Sequence, residues 1–99
     1  MGEPVVREGG DGLYSWASLS CRELLGWGAD ELVGRPATDF IHPDDRLRAG
    51  EGAYRHLRKD GGFVWVEGRW LPGTDAGPER GLVPVARPAG GPAARGAAA

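Results

Sequence analysis

The sequence has a single cysteine and no long hydrophobic run. Cys21 alone cannot form a disulfide within the chain, and such sparing use of cysteine is typical of a reducing compartment, so we expect a cytoplasmic protein. No apolar stretch approaches the roughly 20 residues that span a bilayer, and the N-terminus has no hydrophobic signal core. We therefore expect no membrane association.

An excess of positive charge and the common catalytic motifs are also missing. The formal net charge is −2 and the pI is about 5.6, so we expect no nucleic-acid partner. The chain has no glycine-rich phosphate loop, no nucleophile elbow and no paired cysteine ligands. Asp44 and Asp45 are adjacent and do not form a spaced acid–base pair. We therefore expect that the protein is not an enzyme.

Aromatic residues mark the part of the chain that can form a core. They all lie between positions 14 and 70, and 99 residues suffice for one modest domain. Residues 1–12 are polar and glycine-bearing apart from an apolar patch at 4–6, which predicts a flexible N-terminal lead or a strand that docks on a partner. Of the last 28 residues, 19 are Gly, Pro or Ala. We predict a folded domain at 13–87 and a disordered tail at 88–99.

Short helices are predicted in the first half of this domain. Ser20 and Glu23 have the spacing of a capping box, and Gly26 can end that helix in the left-handed conformation. Residues 30–33 predict one further helical turn, with acidic residues at the end that the helix dipole favours.

Residues 42–45, His-Pro-Asp-Asp, indicate another helix start. Pro43 fits the first helical position, and Asp44 or Asp45 can accept the free backbone amides. Only eight residues then separate Asp45 from Tyr54, and two of them are glycines. Because glycine costs about 1 kcal/mol relative to alanine inside a helix, we expect one or two turns at most.

Residues 59–62, Lys-Asp-Gly-Gly, lie between two strand-like runs and predict a tight hairpin. In its second strand, Phe63, Trp65, Glu67 and Arg69 share one face, and Val64, Val66, Gly68 and Trp70 share the other. We expect one face to pack on the core and the other to be partly covered by a partner. Residues 82–86 predict a last strand, which Pro84 would restrict to the edge of a sheet.

The order of these pieces resembles a PAS domain. The pieces that carry the resemblance are residues 18–27, 31–36, 39–45, 54–67 and, less closely, 81–87. It implies an α+β fold with short helices packed on one face of an antiparallel sheet. It also implies a sensory or protein-interaction module in signal transduction, which acts through self-association as a dimer or through a kinase or regulator partner.

The short segment after Asp45 departs from the family pattern, because a longer helix would normally form one wall of an internal cavity there. We expect a reduced or open pocket. The residues that could line an apolar pocket are Trp16, Phe40, Ile41, Trp65 and Trp70. The alternative is that these residues are simply the core. A small-molecule or haem sensor and a degenerate copy with a damaged fold remain open alternatives to the interaction module.

Known cofactors of the family fit the sequence poorly. Flavin-binding relatives carry a reactive cysteine after the turn that reads 40–43 here, and they hold the flavin with side-chain amides. This chain has no cysteine there and neither asparagine nor glutamine anywhere. Haem-binding relatives take an axial histidine from the long helix, and residues 46–53 contain none. We expect no metal site, although His42, Asp44, Asp45 and His56 are possible ligands.

Overall fold

An antiparallel sheet of five strands organises the structure, a computed structural model that describes residues 2–48, 52–74 and 77–86. The strands are β1 (Val5–Glu8), β2 (Tyr14–Ala17), β3 (Ala53–Leu57), β4 (Phe63–Thr74) and β5 (Gly77–Pro84). Their order across the sheet is β2-β1-β5-β4-β3. Every neighbouring pair is antiparallel.

Short helices lie between β2 and β3 in the chain. They are the α-helices α1 (Cys21–Leu25) and α2 (Ala29–Leu32) and the 3-10 helices η1 (Ala37–Phe40) and η2 (Pro43–Arg48). Leu25, Leu32 and Phe40 from these helices join Tyr54 and Val66 from the sheet in a single buried cluster. The helices therefore cover one face of the sheet, and the predicted α+β fold is confirmed.

Of the two signals predicted for the ends of the first helix, one is confirmed and the other is not. Gly26 ends α1 in the left-handed conformation, with φ of 81°, as the sequence indicated. The capping box predicted at Ser20 is not formed, because Ser20 makes no side-chain bond to the start of α1 and instead donates to the backbone oxygen of Gly2. One half of a capping box is instead present at α2, where the Glu31 carboxylate accepts a hydrogen bond from the Gly28 backbone amide at 3.0 Å.

The first strand corrects the prediction of a flexible lead over residues 1–12. Val5–Glu8 pairs with β2 on one side and β5 on the other, so it lies inside the sheet. Val6 is buried in the core. With only four residues, this strand carries too little alternation to be recognised by pattern, and it is held by pairing with β5, which is distant in sequence.

The last strand is central, which corrects the expectation that Pro84 would place it at an edge. β5 lies between β1 and β4, and Pro84 is its final residue. A proline at the end of a strand removes a donor where the ladder is already closing, so the rest of the strand keeps its pairing.

The hairpin predicted at residues 59–62 is present. Leu57 pairs with Phe63, the Arg58 amide donates to the Gly62 oxygen at 2.8 Å, and Gly61 has φ of 92°. Only glycine takes such a φ without strain, which is why the turn forms here.

Both edge strands are partly covered by loop backbone. On β2, the Tyr14 amide donates to the Arg35 oxygen at 2.9 Å, and the Tyr14 oxygen accepts from Gly34. On β3, the Arg55 oxygen accepts from the His42 amide at 2.9 Å. Backbone groups that would otherwise pair with another chain are therefore already in use.

Candidate functional site

The sheet has an inner face under the helices and an outer face turned away from them. Strand alternation and register assign to the outer face, among others, ten side chains: Val5, Arg7, Trp16, Arg55, Phe63, Trp65, Glu67, Arg69, Glu79 and Val83. None of these ten belongs to the buried hydrophobic core. Phe63 and Trp16 are 43% and 40% exposed. The outer face thus presents aromatic rings among charged side chains.

Guanidinium groups stack on two of these rings. The Arg55 guanidinium lies 5.0 Å from the centre of the Trp65 ring, and that of Arg7 lies 5.0 Å from the centre of the Trp16 ring. Cation–π contacts of this kind hold a partly exposed ring in one orientation. The tryptophans are consequently ordered on the surface.

Arg7 also forms an ion pair across the outer face. One of its terminal nitrogens donates to Glu79 at 2.5 Å, and its buried Nε has no hydrogen-bond partner among the described residues. The ion pair and the contact with the Trp16 ring together hold the Arg7 guanidinium in one place.

The five residues predicted to line an apolar pocket do not face one common cavity. Phe40 and Ile41 are buried on the inner side of the sheet. Trp16 and Trp65 lie on the outer face. Trp70 lies on the inner face but is 59% exposed, with Arg80 stacked on its ring. Trp65 and Trp70 are separated by an odd number of positions, so the alternation of a strand already places them on opposite faces.

A buried polar cluster on the helix side was not predicted from the sequence. His56 is fully buried beside the rings of Tyr14 and Phe40, with which it forms a compact group of three rings. Its Nδ1 donates to the Leu57 oxygen at 2.9 Å, so its Nε2 is the acceptor for the Tyr14 hydroxyl at 3.0 Å. A neutral imidazole satisfies both bonds, whereas in a protonated ring Nε2 would become a donor and the bond with the Tyr14 hydroxyl would have to reverse.

Burial of this histidine predicts a pH-dependent stability. Burial, reinforced by the positive charge of Arg80, lowers the pKa of His56 from 6.5 to about 4. Since the folded state binds the proton more weakly than the unfolded state, the stability present above pH 6.5 is lost as pH falls towards 4. We expect the free energy of unfolding to drop by about 2 kcal/mol between pH 7 and pH 5 in urea titrations.

Two variants identify the source of that slope. His56→Phe should flatten the slope, and His42→Gln, which changes the other histidine of the chain, is the control. An unchanged slope in a folded His56→Phe variant would assign the titration to another group.

The histidines and acids considered for a metal site are not brought together. His42 Nδ1 lies 3.9 Å from an oxygen of Asp44 at the surface. The fully buried Asp45 carboxylate instead accepts from the Arg55 backbone amide at 2.8 Å and from its Nε and Nη2, each at 2.9 Å. His56 lies in the core. In the described ranges, no three His, Cys, Asp or Glu side chains are placed to hold a metal ion.

None of the helices within residues 2–48, 52–74 and 77–86 is long and apolar enough to span a bilayer.

These features define a class of protein: a small α+β domain with helices on one face of a sheet and an aromatic opposite face. The family described as the PAS fold matches residues 5–89. The chain belongs to this family, as its sequence resemblance indicated. The match begins at the first residue of β1, which agrees with the place of that strand in the sheet.

Among curated proteins, the chain is similar to hypoxia-inducible factor 1-alpha. The sequences from Xenopus laevis, Gallus gallus and Rattus norvegicus are each 33% identical over 67 residues, covering 54% of this chain. The chain spans only 8% of the length of these relatives. The likeness therefore concerns one domain of much longer proteins.

Proposed function

We propose that this PAS domain is a non-enzymatic, cytoplasmic interaction module that transmits a signal by associating with a second copy of itself or with a signalling kinase or regulator. Membership of the PAS family supports a signalling role. The observation that carries the proposed mode of association is the outer face, where Trp65, Trp16 and Phe63 lie outside the buried core. Aromatic residues and arginine are enriched in the well-packed centres of protein interfaces.

Association through the face fits this sheet better than association through an edge. The loop hydrogen bonds at Tyr14 and Arg55 occupy backbone groups of both edge strands. Addition of a strand from another chain would have to break them. The outer face needs no such change, since its rings are already ordered by Arg7 and Arg55.

Two tryptophans of β4 give a matched test of this proposal. We expect Trp65→Ala to weaken self-association about 30-fold, because a tryptophan in the centre of an interface contributes about 2 kcal/mol or more. Trp70→Ala should leave the association constant nearly unchanged, because Trp70 lies on the other face. Sedimentation velocity across a protein concentration series measures both constants.

Thermal unfolding of the same two variants separates association from folding. Trp65 is partly buried, so its removal should cost the monomer about 1 to 2 kcal/mol, too little to unfold it. Self-association that survives Trp65→Ala and is lost in Trp70→Ala would move the interface to the inner side. A wild-type protein that stays monomeric throughout would exclude the self-associating form of the proposal, and the variants would then be compared for binding to a kinase or regulator.

A further inference from the structure

An open cleft of about 450 Å³ lies on the inner side of the sheet, away from the outer face. The turn between β1 and β2 forms one side of it, and η1 with the start of η2 forms the other. Its lining includes Glu8, Asp11, Ala37, Ile41, Arg46 and Arg80. The volume lies within the range of about 300 to 1,000 Å³ usual for small-molecule sites.

The floor of the cleft is a charge pair that is already satisfied. The Arg80 side chain is only 8% exposed, and its Nη2 donates to a Glu8 oxygen at 2.6 Å. The guanidinium lies between the rings of Tyr54 and Trp70, at 5.9 and 5.5 Å from their centres. This pair gives the floor a fixed shape and adds no net charge.

Two further charges of opposite sign lie on opposite sides of the cleft. Arg46 is held by its Nε, which donates to the backbone oxygens of Thr38 and Ile41 at 3.1 and 3.2 Å. Its terminal nitrogens have no partner among the described residues. Asp11 uses Oδ1 to accept from the Leu13 amide at 3.1 Å, and its Oδ2 likewise has no partner among them. The cleft therefore offers one anchored cation, one anchored anion and, at Pro36, an exposed apolar side chain above the nearly buried Ala37 and Ile41.

We propose that this cleft binds a small zwitterion of the α-amino-acid type. Its carboxylate pairs with the terminal nitrogens of Arg46, its ammonium group pairs with Asp11, and an aliphatic side chain lies along Pro36. Charge-assisted hydrogen bonds of this kind orient a small ligand strongly. The site is independent of the outer face, so it exists whether or not the domain self-associates.

Other ligand classes fit the lining less well. The formal charges of Glu8, Asp11, Arg46 and Arg80 sum to zero, so a simple anion would meet two carboxylates along with the arginines. A purely apolar ligand would bury Arg46 and Asp11 without replacing their contacts with water, which is costly. A molecule with both charges satisfies both side chains at once.

The first test uses the wild-type protein and three matched probes. They are L-leucine, 3-methylbutylamine, which lacks the carboxylate, and 4-methylpentanoate, which lacks the ammonium group. Amide chemical shifts of Gly12 and Thr38, which line the cleft, report binding in ¹⁵N–¹H spectra. We expect L-leucine to shift them saturably and each one-ended analogue to bind at least about tenfold more weakly.

Two variants then assign the ends of the ligand. Arg46→Gln should weaken L-leucine at least about tenfold and leave the weak binding of 3-methylbutylamine unchanged. Asp11→Asn should weaken L-leucine similarly and leave 4-methylpentanoate unchanged. Both residues are exposed, so the fold should survive. Arg22→Gln, at an exposed position of α1 outside the cleft, should change none of the affinities.

Three results would overturn the proposal. The first is the absence of saturable shifts with L-leucine and with every other proteinogenic amino acid. The second is binding of 4-methylpentanoate as tight as that of L-leucine, which would define a plain carboxylate site. The third is L-leucine binding that neither Arg46→Gln nor Asp11→Asn weakens.

Discussion

Replacing Phe40 with alanine is expected to lower the free energy of unfolding by about 3 to 5 kcal/mol, the usual cost of removing a buried phenylalanine. Phe40 is 1% exposed. Its ring centre lies 5.7 Å from that of Tyr14, 5.4 Å from that of Trp27 and 5.6 Å from that of His56. The alanine side chain would leave a cavity where the helices meet the sheet.

The effect of Phe40→Ala is measured by urea unfolding followed by circular dichroism. Because a small domain has a total stability of only about 5 to 15 kcal/mol, the variant will unfold at much lower urea. Phe40→Leu keeps most of the volume and should cost no more than about 1.5 kcal/mol. Phe63→Ala is the surface control and should cost about 1 kcal/mol, since that ring is 43% exposed. Equal losses for Phe40→Ala and Phe63→Ala would contradict the packing described here.

Replacing Asp45 with alanine is expected to cost about 3 kcal/mol, because it removes a fully buried carboxylate that accepts three hydrogen bonds from the partly exposed Arg55. The Asp45 carboxylate is fully buried, and its three hydrogen bonds from Arg55 fix η2 against β3. Its loss would also leave the backbone amide of Arg55 without this acceptor. This side chain therefore adds three hydrogen bonds to the backbone contact between His42 and Arg55 at the same junction.

The neighbouring residue gives a matched control for Asp45→Ala. The Asp44 side chain is 75% exposed, and its carboxylate lies 3.9 Å from His42 Nδ1. Substitutions of exposed side chains with such loose contacts cost little, so Asp44→Ala should change the free energy of unfolding by less than about 0.5 kcal/mol. The sequence suggested a helix cap worth about 0.5 to 2 kcal/mol at one of these two positions. A larger loss for Asp44→Ala than for Asp45→Ala would restore the cap interpretation and contradict the ion pair.

Structural features that depend only on residues close together in the chain could be predicted from local sequence patterns. The hairpin at residues 59–62 and the left-handed end of α1 at Gly26 each need only a glycine at the right position. The order of these pieces was enough to indicate the family and its α+β fold. The alternation expected of a strand also places Trp65 and Trp70 on opposite faces of β4, because five positions separate them.

Features that depend on distant pairing could not be predicted in this way. β1 is held between β2 and β5, and the partly buried pair of Glu8 and Arg80 joins residues 72 positions apart. No sequence pattern near Glu8 or near Arg80 predicts that the two side chains meet. The same holds for the Tyr14 hydroxyl and His56, which meet only because β2 and β3 lie under the same helices.

Association through the outer face is the central claim, and hydroxyl-radical footprinting of the native tryptophans tests it most directly. The protein would be labelled at low and at high concentration, and in the presence of a signalling partner if it remains monomeric. The account predicts that association protects Trp16 and Trp65 from labelling and leaves Trp70 unchanged. Protection of Trp70 with unchanged labelling of Trp16 and Trp65 would contradict it.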